Sequence, residues 1–182
     1  MILLNLRILF LLALLLNFYL VPDSINAATE TYDEYAIKTA FLFRSLHYVD
    51  WSNKNSSDDA IVICTIEPDN FSRTIKSLQH QKVNERAIQT RNLASFEEIN
   101  ACDVLLIPFK KLFQLQQTLN KIENQNILTV SDQPGSAQNG VILNFPVDNQ
   151  KVIIEINIDA ANKQNIKFSA KLLRIAKIVG YK

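Results

Sequence analysis

Glycine, histidine and cysteine are scarce in this chain of 182 residues, which has three glycines, two histidines and two cysteines. The three glycines do not have the spacing of a dinucleotide loop of the Gly-x-Gly-x-x-Gly type, and no Gly-x-Ser-x-Gly nucleophile elbow is present. His47 and His80 do not have the spacing of a metal site, and two cysteines do not complete a zinc site. We therefore expect no catalytic residue, no metal and no cofactor, and we predict that the chain is not an enzyme.

An excess of either charge is also missing, because 19 Lys and Arg residues face 18 Asp and Glu residues, which gives a formal net charge of +1. Nucleic-acid-binding proteins usually have a basic excess, so we expect no nucleic-acid partner. The hydrophobic fraction of 48% is typical of a globular protein that buries a core. The length leaves room for one ordinary domain.

The first residues have the pattern of a secretory signal peptide. Arg7 makes the start weakly basic, Ile8–Leu20 is almost wholly apolar, and the small residue Ala27 follows. The alternative is an uncleaved membrane anchor, but the apolar stretch has about 13 residues and a span needs roughly 20. We predict a signal peptide over residues 1–27, a single mature domain over residues 28–182, and export to the periplasm.

Export changes the interpretation of Cys64 and Cys102. In an oxidising compartment, two cysteines in one chain favour a single disulfide. Closing a loop of about 39 residues would contribute roughly 4 kcal/mol to stability on the chain-entropy model.

Helical and strand patterns alternate along the mature chain. The expected helices are Thr31–Tyr48 with a capping box of Thr31 and Glu34, Phe71–Leu78, Ser95–Ile99, Leu112–Ile122, and a last helix after Ser169 with Leu172, Leu173, Ala176 and Val179 facing the core. The expected strands are Ala60–Ile66, Val83 with Ala87–Thr90, Val104–Ile107, Ile127–Val130, and a hairpin of Val141–Phe145 and Val152–Ile156 around the turn Asp148–Gln150.

This alternation predicts an α/β fold, a three-layer α/β/α sandwich with a mostly parallel sheet. The first four strands should be parallel and joined by right-handed crossovers, and the hairpin should add an antiparallel edge. In the usual doubly wound order the first and third strands are neighbours, which could bring Cys64 close to Cys102.

Several separated stretches together resemble the YfiR family, in the order in which that family has them. The stretches are Tyr35–Trp51; Ile61–Ile66 with Asp69–Phe71; Cys102–Ile107 with Ile127–Asp132; and Gly140–Phe145 with Ile154–Asn157 and Phe168–Ala176. No single stretch is specific, but their order and spacing are, and they cover nearly all of the mature chain.

The resemblance implies an exported, non-enzymatic regulator. Its best-known relative restrains an inner-membrane diguanylate cyclase by binding the periplasmic region of the cyclase, and an outer-membrane lipoprotein can sequester it. The resemblance therefore implies control of cyclic di-GMP and of biofilm formation, and it also implies a disulfide between Cys64 and Cys102. That relative has a second cysteine pair in the region corresponding to Ser131–Phe145, where this chain has none, so redox control through that pair is not expected.

A binding regulator needs exposed residues of the types that dominate interface energies, which are Trp, Tyr and Arg. The predicted partner-binding residues lie near the end of the first helix and on the last strand of the hairpin: Phe41, Arg44, His47, Tyr48, Trp51, Glu155 and Asn157. For the aromatic residues the alternative is that they cap the core. For Glu155 and Asn157 the alternative is an exposed edge position.

Two further readings stay open. The chain could be a periplasmic small-ligand binding module, since folds of this kind bind ligands at the carboxyl ends of their strands, here near Glu67–Asn70 and Ser131–Asn139. A homodimer is also an expectation, because the wide apolar first helix could pack on its symmetry mate.

Overall fold

A computed structural model describes residues 33–51 and 60–180 of the chain. The expected signal peptide and Thr31 of the expected capping box lie outside these described residues.

The described chain alternates between helices and strands. The helices are α1 (Glu34–Leu46), α2 (Asn70–Ile75), α3 (Leu112–Lys121), α4 (Ile158–Lys163) and α5 (Ala170–Leu173), with 3-10 helices at Lys76–Leu78, Phe96–Ala101 and Ala137–Asn139. The strands are β1 (Ile61–Thr65), β2 (Lys82–Val83), β3 (Arg86–Asn92), β4 (Val104–Leu106), β5 (Leu128–Ser131), β6 (Leu143–Asn144), β7 (Val147–Asp148), β8 (Lys151–Val152), β9 (Glu155–Asn157) and β10 (Lys177–Val179).

Eight strands form one sheet in the order β10-β9-β6-β5-β4-β1-β3-β2. β3, β1, β4, β5 and β6 are parallel, whereas β9 is antiparallel to β6 and β2 is antiparallel to β3. β7 and β8 form a separate small hairpin. The predicted α/β fold is therefore confirmed, as are four parallel strands, β1, β3, β4 and β5, and the neighbouring positions of the first and third predicted strands. Val83, expected in one strand with Ala87–Thr90, instead lies in β2, which turns back antiparallel to β3.

Two apolar clusters lie on opposite faces of the sheet, because successive side chains of a strand point to opposite sides. In β1, Ile61 and Ile63 join the cluster beneath α1 and α2, while Cys64 joins the cluster beneath α3. Gln164, at the end of α4, donates to the Ile122 carbonyl at the end of α3 over 3.0 Å, so α4 lies beside α3. Helices thus cover both faces, as in the predicted three-layer sandwich.

The expected last helix is wrong in its length. α5 ends at Leu173, and the chain then forms β10, which pairs in parallel with β9. The Lys177 amide donates to the Ile154 carbonyl over 2.8 Å. Ile178 and Val179 are β-branched and favour an extended chain. The hairpin therefore does not form the edge of the sheet, because β10 covers β9.

The first helix differs from the expectation at both ends, and one helix was not expected at all. α1 ends at Leu46, two residues before the expected Tyr48, and its N-cap is Asp33, whose side chain accepts a hydrogen bond from the Ala36 amide. α4 has no counterpart among the expected elements. Its N-cap is Asn157, a residue type that favours this position.

Cys64 and Cys102 form a disulfide, as predicted. Their Cα atoms are 5.8 Å apart, and both side chains are buried. The bridge connects β1 to the residues just before β4, so it links two central neighbouring strands within the cluster beneath α3.

We predict that Cys64→Ala/Cys102→Ala lowers the free energy of unfolding by about 2–5 kcal/mol, because the unfolded chain regains the freedom that the bridge removes. Urea unfolding of the oxidised proteins measures this difference. The reduced wild-type protein serves as the control and should unfold close to the double variant. Equal midpoints for the oxidised wild type and the double variant would contradict a stabilising bridge.

Candidate functional site

One face of α1 is fixed against the rest of the fold. Leu42 and Leu46 are fully buried in the apolar cluster on that side of the sheet. The Thr39 hydroxyl lies 2.7 Å from the Thr74 hydroxyl, which joins α1 to α2 through a hydrogen bond. α1 is therefore a rigid element, and the side chains on its other face have defined positions.

Arg44 lies on the exposed face of α1, and His47 is the exposed C-cap residue directly after α1. The two residues are three positions apart and therefore lie side by side at the end of the helix. The His47 ring meets the Phe43 ring edge-on, with 5.1 Å between their centroids. His47 Nδ1 lies 3.4 Å from the Asn84 side-chain oxygen, at the turn between β2 and β3. We call Phe43, Arg44, His47, Tyr48 and Trp51 the α1 patch.

The predicted aromatic residues are only half-buried, and they pack against the core. The Phe41 ring lies 6.5 Å from the ring of the buried Phe145, tilted by 51°. The indole nitrogen of Trp51 donates to the Leu46 carbonyl over 3.0 Å, and the Arg86 guanidinium lies 6.0 Å from the Trp51 ring. These contacts favour core capping for Phe41 and Trp51, while their role in partner binding stays a prediction.

Glu155 and Asn157 are 3% and 0% exposed. The alternative expectation, that they occupy exposed positions at the edge of the sheet, is therefore wrong. Asn157 donates to the Ala137 carbonyl over 2.7 Å and accepts from the Ala160 amide over 2.8 Å. Glu155 forms an ion pair of 3.0 Å with Lys177 of β10. Since neither side chain reaches the surface, we do not include them in the α1 patch.

The sequence interpretation did not find the buried ion pair between Lys38 and Asp132. These residues are 2% and 7% exposed, and Lys38 Nζ lies 2.7 Å from Asp132 Oδ2. Lys38 also pairs with Glu34 on the same helix, and its ammonium lies 5.1 Å from the centre of the Tyr35 ring. Burial alone would lower the pKa of Lys38, but the hydrogen bonds and charges of Asp132 and Glu34 outweigh burial and raise it.

A chain of hydrogen bonds continues from this pair to the edge of the sheet. Asp132 Oδ1 accepts from the Gln133 side chain over 2.6 Å. Asn144 donates to the Gln133 carbonyl over 3.0 Å and to Glu155 over 3.2 Å, and Glu155 binds Lys177. We call Lys38, Asp132, Gln133, Asn144, Glu155 and Lys177 the polar seam. It runs along the carboxyl ends of β5 and β6 and connects α1 to β10.

Sequence signals for the seam were present but incomplete. Lys38 lies four residues before Leu42, on the helical stripe that faces the core, and Asp132 directly follows the buried strand β5. A lysine at a core-facing position is almost always paired. Its partner is 94 residues away, so the pair becomes evident only in the folded chain.

Within residues 33–51 and 60–180, no group of three or more His, Cys, Asp or Glu side chains converges so that it could hold a metal ion. In the same part of the chain, no helix has the length and apolarity that a bilayer crossing requires.

Comparison with protein families gives a match over most of the chain. The YfiR/HmsC-like family model matches residues 35–177, a range that runs from α1 to the start of β10. The chain belongs to the YfiR/HmsC-like family. This range includes both members of the buried Lys38–Asp132 pair, both cysteines and the whole α1 patch.

Solved structures show how far the fold of this family member is shared. A conserved domain protein from Vibrio cholerae superposes with a TM-score of 0.50 at 9% identity, over 81% of this chain and 60% of that protein. An ABC domain in complex with L-Trp from Streptococcus pneumoniae gives a TM-score of 0.49 at 10% identity, over 79% and 60% of the two chains. The chain thus spans about 60% of the length of each, and such low identity concerns the fold alone. No curated protein gives a significant match.

We predict that Lys38→Met lowers the free energy of unfolding by about 3 kcal/mol, because it leaves Asp132 buried without its cation. Lys38→Met/Asp132→Asn should be more stable than Lys38→Met, since the uncompensated charge is then gone. Lys82→Met is the matched control, because Lys82 pairs with Glu85 on the surface at 3.6 Å, and it should cost at most about 1 kcal/mol. Urea unfolding at neutral pH measures the free energy of unfolding of all three variants relative to the wild type.

The same experiment has a defined pH dependence. The pKa of Lys38 is raised in the folded state, so its stabilising contribution is fully present below about pH 10.5 and is lost as the pH rises through the higher folded value. The stability difference between wild type and Lys38→Met should therefore be constant from neutral pH to about pH 10 and shrink above it. A difference that is absent at neutral pH would contradict a stabilising pair.

Proposed function

We propose that this family member is an exported, non-enzymatic regulator that binds the periplasmic part of an inner-membrane diguanylate cyclase and represses it. Repression lowers cyclic di-GMP and with it biofilm formation. The family match over residues 35–177 is the observation that carries this proposal. An outer-membrane lipoprotein that competes for the same surface would release the cyclase.

The α1 patch is the surface that we propose for the cyclase. Arg44 and His47 are exposed, and the helix that carries Arg44 and ends at His47 is held by buried contacts on its opposite face. A rigid surface loses little conformational entropy when it binds, which favours affinity. Arginine and aromatic residues are the types that most often dominate interface energies. Tyr48 and Trp51 would contribute the rims of their half-buried rings.

Repression by this surface is a shift of populations. The regulator binds the inactive state of the cyclase more tightly than the active state, so it moves the equilibrium without any chemical step. A shift from 1:99 to 99:1 needs a difference of about 5.5 kcal/mol between the two affinities. A few well-buried interface residues at 2 kcal/mol or more each, on the order of hot-spot energies, supply such a difference.

Deletion of the gene, followed by complementation, tests the proposal. We expect cyclic di-GMP to rise in the deletion strain and to return to its original level with the wild-type gene. Arg44→Glu/His47→Ala should fail to restore it, because losing hot-spot contacts weakens binding by at least about tenfold. Both residues are exposed, so the variant should fold normally.

Lys110→Glu is the matched control, since Lys110 is an exposed cation in the loop between β4 and α3. It should restore cyclic di-GMP as well as the wild type does. Periplasmic abundance and the melting temperature of each variant confirm equal folding. An unchanged cyclic di-GMP level after deletion would overturn the repressor role. Full complementation by Arg44→Glu/His47→Ala would overturn only the assignment of the α1 patch.

A further inference from the structure

A groove of about 490 Å³ runs between α1 and α2. Ala36, Ala40 and Phe43 of α1 line one wall, at the spacing of residues that share one face of a helix. Ser77, in the 3-10 helix that follows α2, lines the opposite wall, and the buried Leu78 also contributes to the lining. Phe43 belongs to the α1 patch as well, so the groove continues the proposed cyclase surface along α1 and onto the neighbouring helix.

The hydroxyl groups in the groove are already hydrogen-bonded within the protein. Thr39 Oγ1 lies 2.7 Å from Thr74 Oγ1, and Thr74 Oγ1 donates to the Phe71 carbonyl over 2.8 Å. Ser77 Oγ donates to the Thr74 carbonyl over 2.7 Å. A partner can therefore displace water from these groups without leaving them unpaired, which keeps the cost of desolvation low. The groove thus suits the apolar face of a partner.

The charge at the groove is positive. Arg73 of α2 is exposed and lines the groove, and its guanidinium donates to the Asn70 side-chain oxygen over 3.3 Å. Arg44 is exposed directly after Phe43 on α1. Among the residues that the structure describes, no carboxylate lines the groove, and Arg73 takes part in no ion pair. A partner with a carboxylate beside its apolar face complements this charge, whereas a second copy of the chain would bring the same cations.

We propose that the groove receives an amphipathic helix from the periplasmic part of the cyclase. Its apolar face packs on Ala36, Ala40 and Leu78, and a carboxylate beside that face pairs with Arg73. The inference rests on the function proposed above and names the element of the partner that the surface holds. The small side chains of Ala36 and Ala40 let a helix approach α1 closely. The stretch from Ala36 to Phe43 is about 10 Å long, which matches about two turns of a docked helix.

A photoreactive amino acid at position 77, expressed in the deletion strain, tests this docking with position 76 as the matched control. Ser77 lines the groove, whereas the adjacent and equally exposed Lys76 lines a different cavity on the other side of this helical segment. We expect position 77 to crosslink to the cyclase and position 76 to give no such product. The crosslinked segment of the cyclase should have apolar residues three and four positions apart, with an Asp or Glu beside them.

Substitutions separate the steric part of the docking from the charge part. Ala36→Arg/Ala40→Arg places two long side chains in the groove, and Arg73→Glu reverses its charge. Each should lower the crosslink yield at position 77 by about tenfold, the effect of losing a strong interface contact. Gln114→Arg/Gln117→Arg is the matched control, since it adds the same charge to exposed positions of α3, and it should leave the yield unchanged. Melting temperatures confirm that all variants fold, as expected for exposed positions.

The possible failures distinguish the groove from the wider function. The groove proposal is overturned if position 77 yields a second copy of this chain, or no adduct, while position 47 still yields the cyclase. An equal yield at position 76, an adduct on a segment without helical apolar spacing, or an equal loss in the α3 control also overturns it. In each of these cases the repressor role stands. If no position yields a cyclase and deletion leaves cyclic di-GMP unchanged, the proposed function fails and the groove proposal fails with it.

Discussion

The buried ion pair between Lys38 and Asp132 determines where α1 lies, and the proposed binding surface depends on that position. An isolated helix of 13 residues is marginal in water, so α1 needs tertiary contacts to form and to stay in place. Apolar burial of Leu42 and Leu46 supplies most of the attraction but has little directionality. The pair adds direction, because a buried charge that loses its partner costs several kcal/mol. It fixes both the rotation of α1 and its position along the sheet.

The carboxyl edge of the parallel strands carries the polar seam. In the polar seam, positively and negatively charged side chains of the protein bind one another, as Lys38 binds Asp132 and Glu155 binds Lys177. The chain of contacts joins α1 to the edge strand β10. Apart from the side-chain oxygen of Asn144, which is buried without a hydrogen-bond partner among the described residues, the buried polar groups of the seam are paired. Paired buried groups stabilise a fold, so the seam belongs to the scaffold.

Sequence patterns predicted the central sheet well, because β-branched runs such as Ile61–Thr65 and Val104–Leu106 are buried on both faces and leave no helical alternative. The disulfide followed from the cysteine count and the family resemblance. The patterns failed at the carboxyl end, where Leu172 and Leu173 have helical spacing but Ile178 and Val179 pair with β9. The pairing of β10 with β9 is a tertiary contact, which the local periodicity of the sequence does not predict.

The candidate site was predictable only in part, for a similar reason. Arg44 and His47 are exposed as their helical positions indicated, but the burial of Glu155 depends on β10, which the sequence interpretation treated as helix. Lys38 was passed over because its partner is distant in sequence.

Site-specific photo-crosslinking in the living cell tests most directly whether the protein acts by binding a cyclase through α1. A photoreactive amino acid at position 47 should crosslink to an inner-membrane protein that carries a diguanylate cyclase domain. The same amino acid at position 117, an exposed position on α3, should give no such product. Absence of the cyclase adduct at position 47, or an equal yield at position 117, would contradict the account.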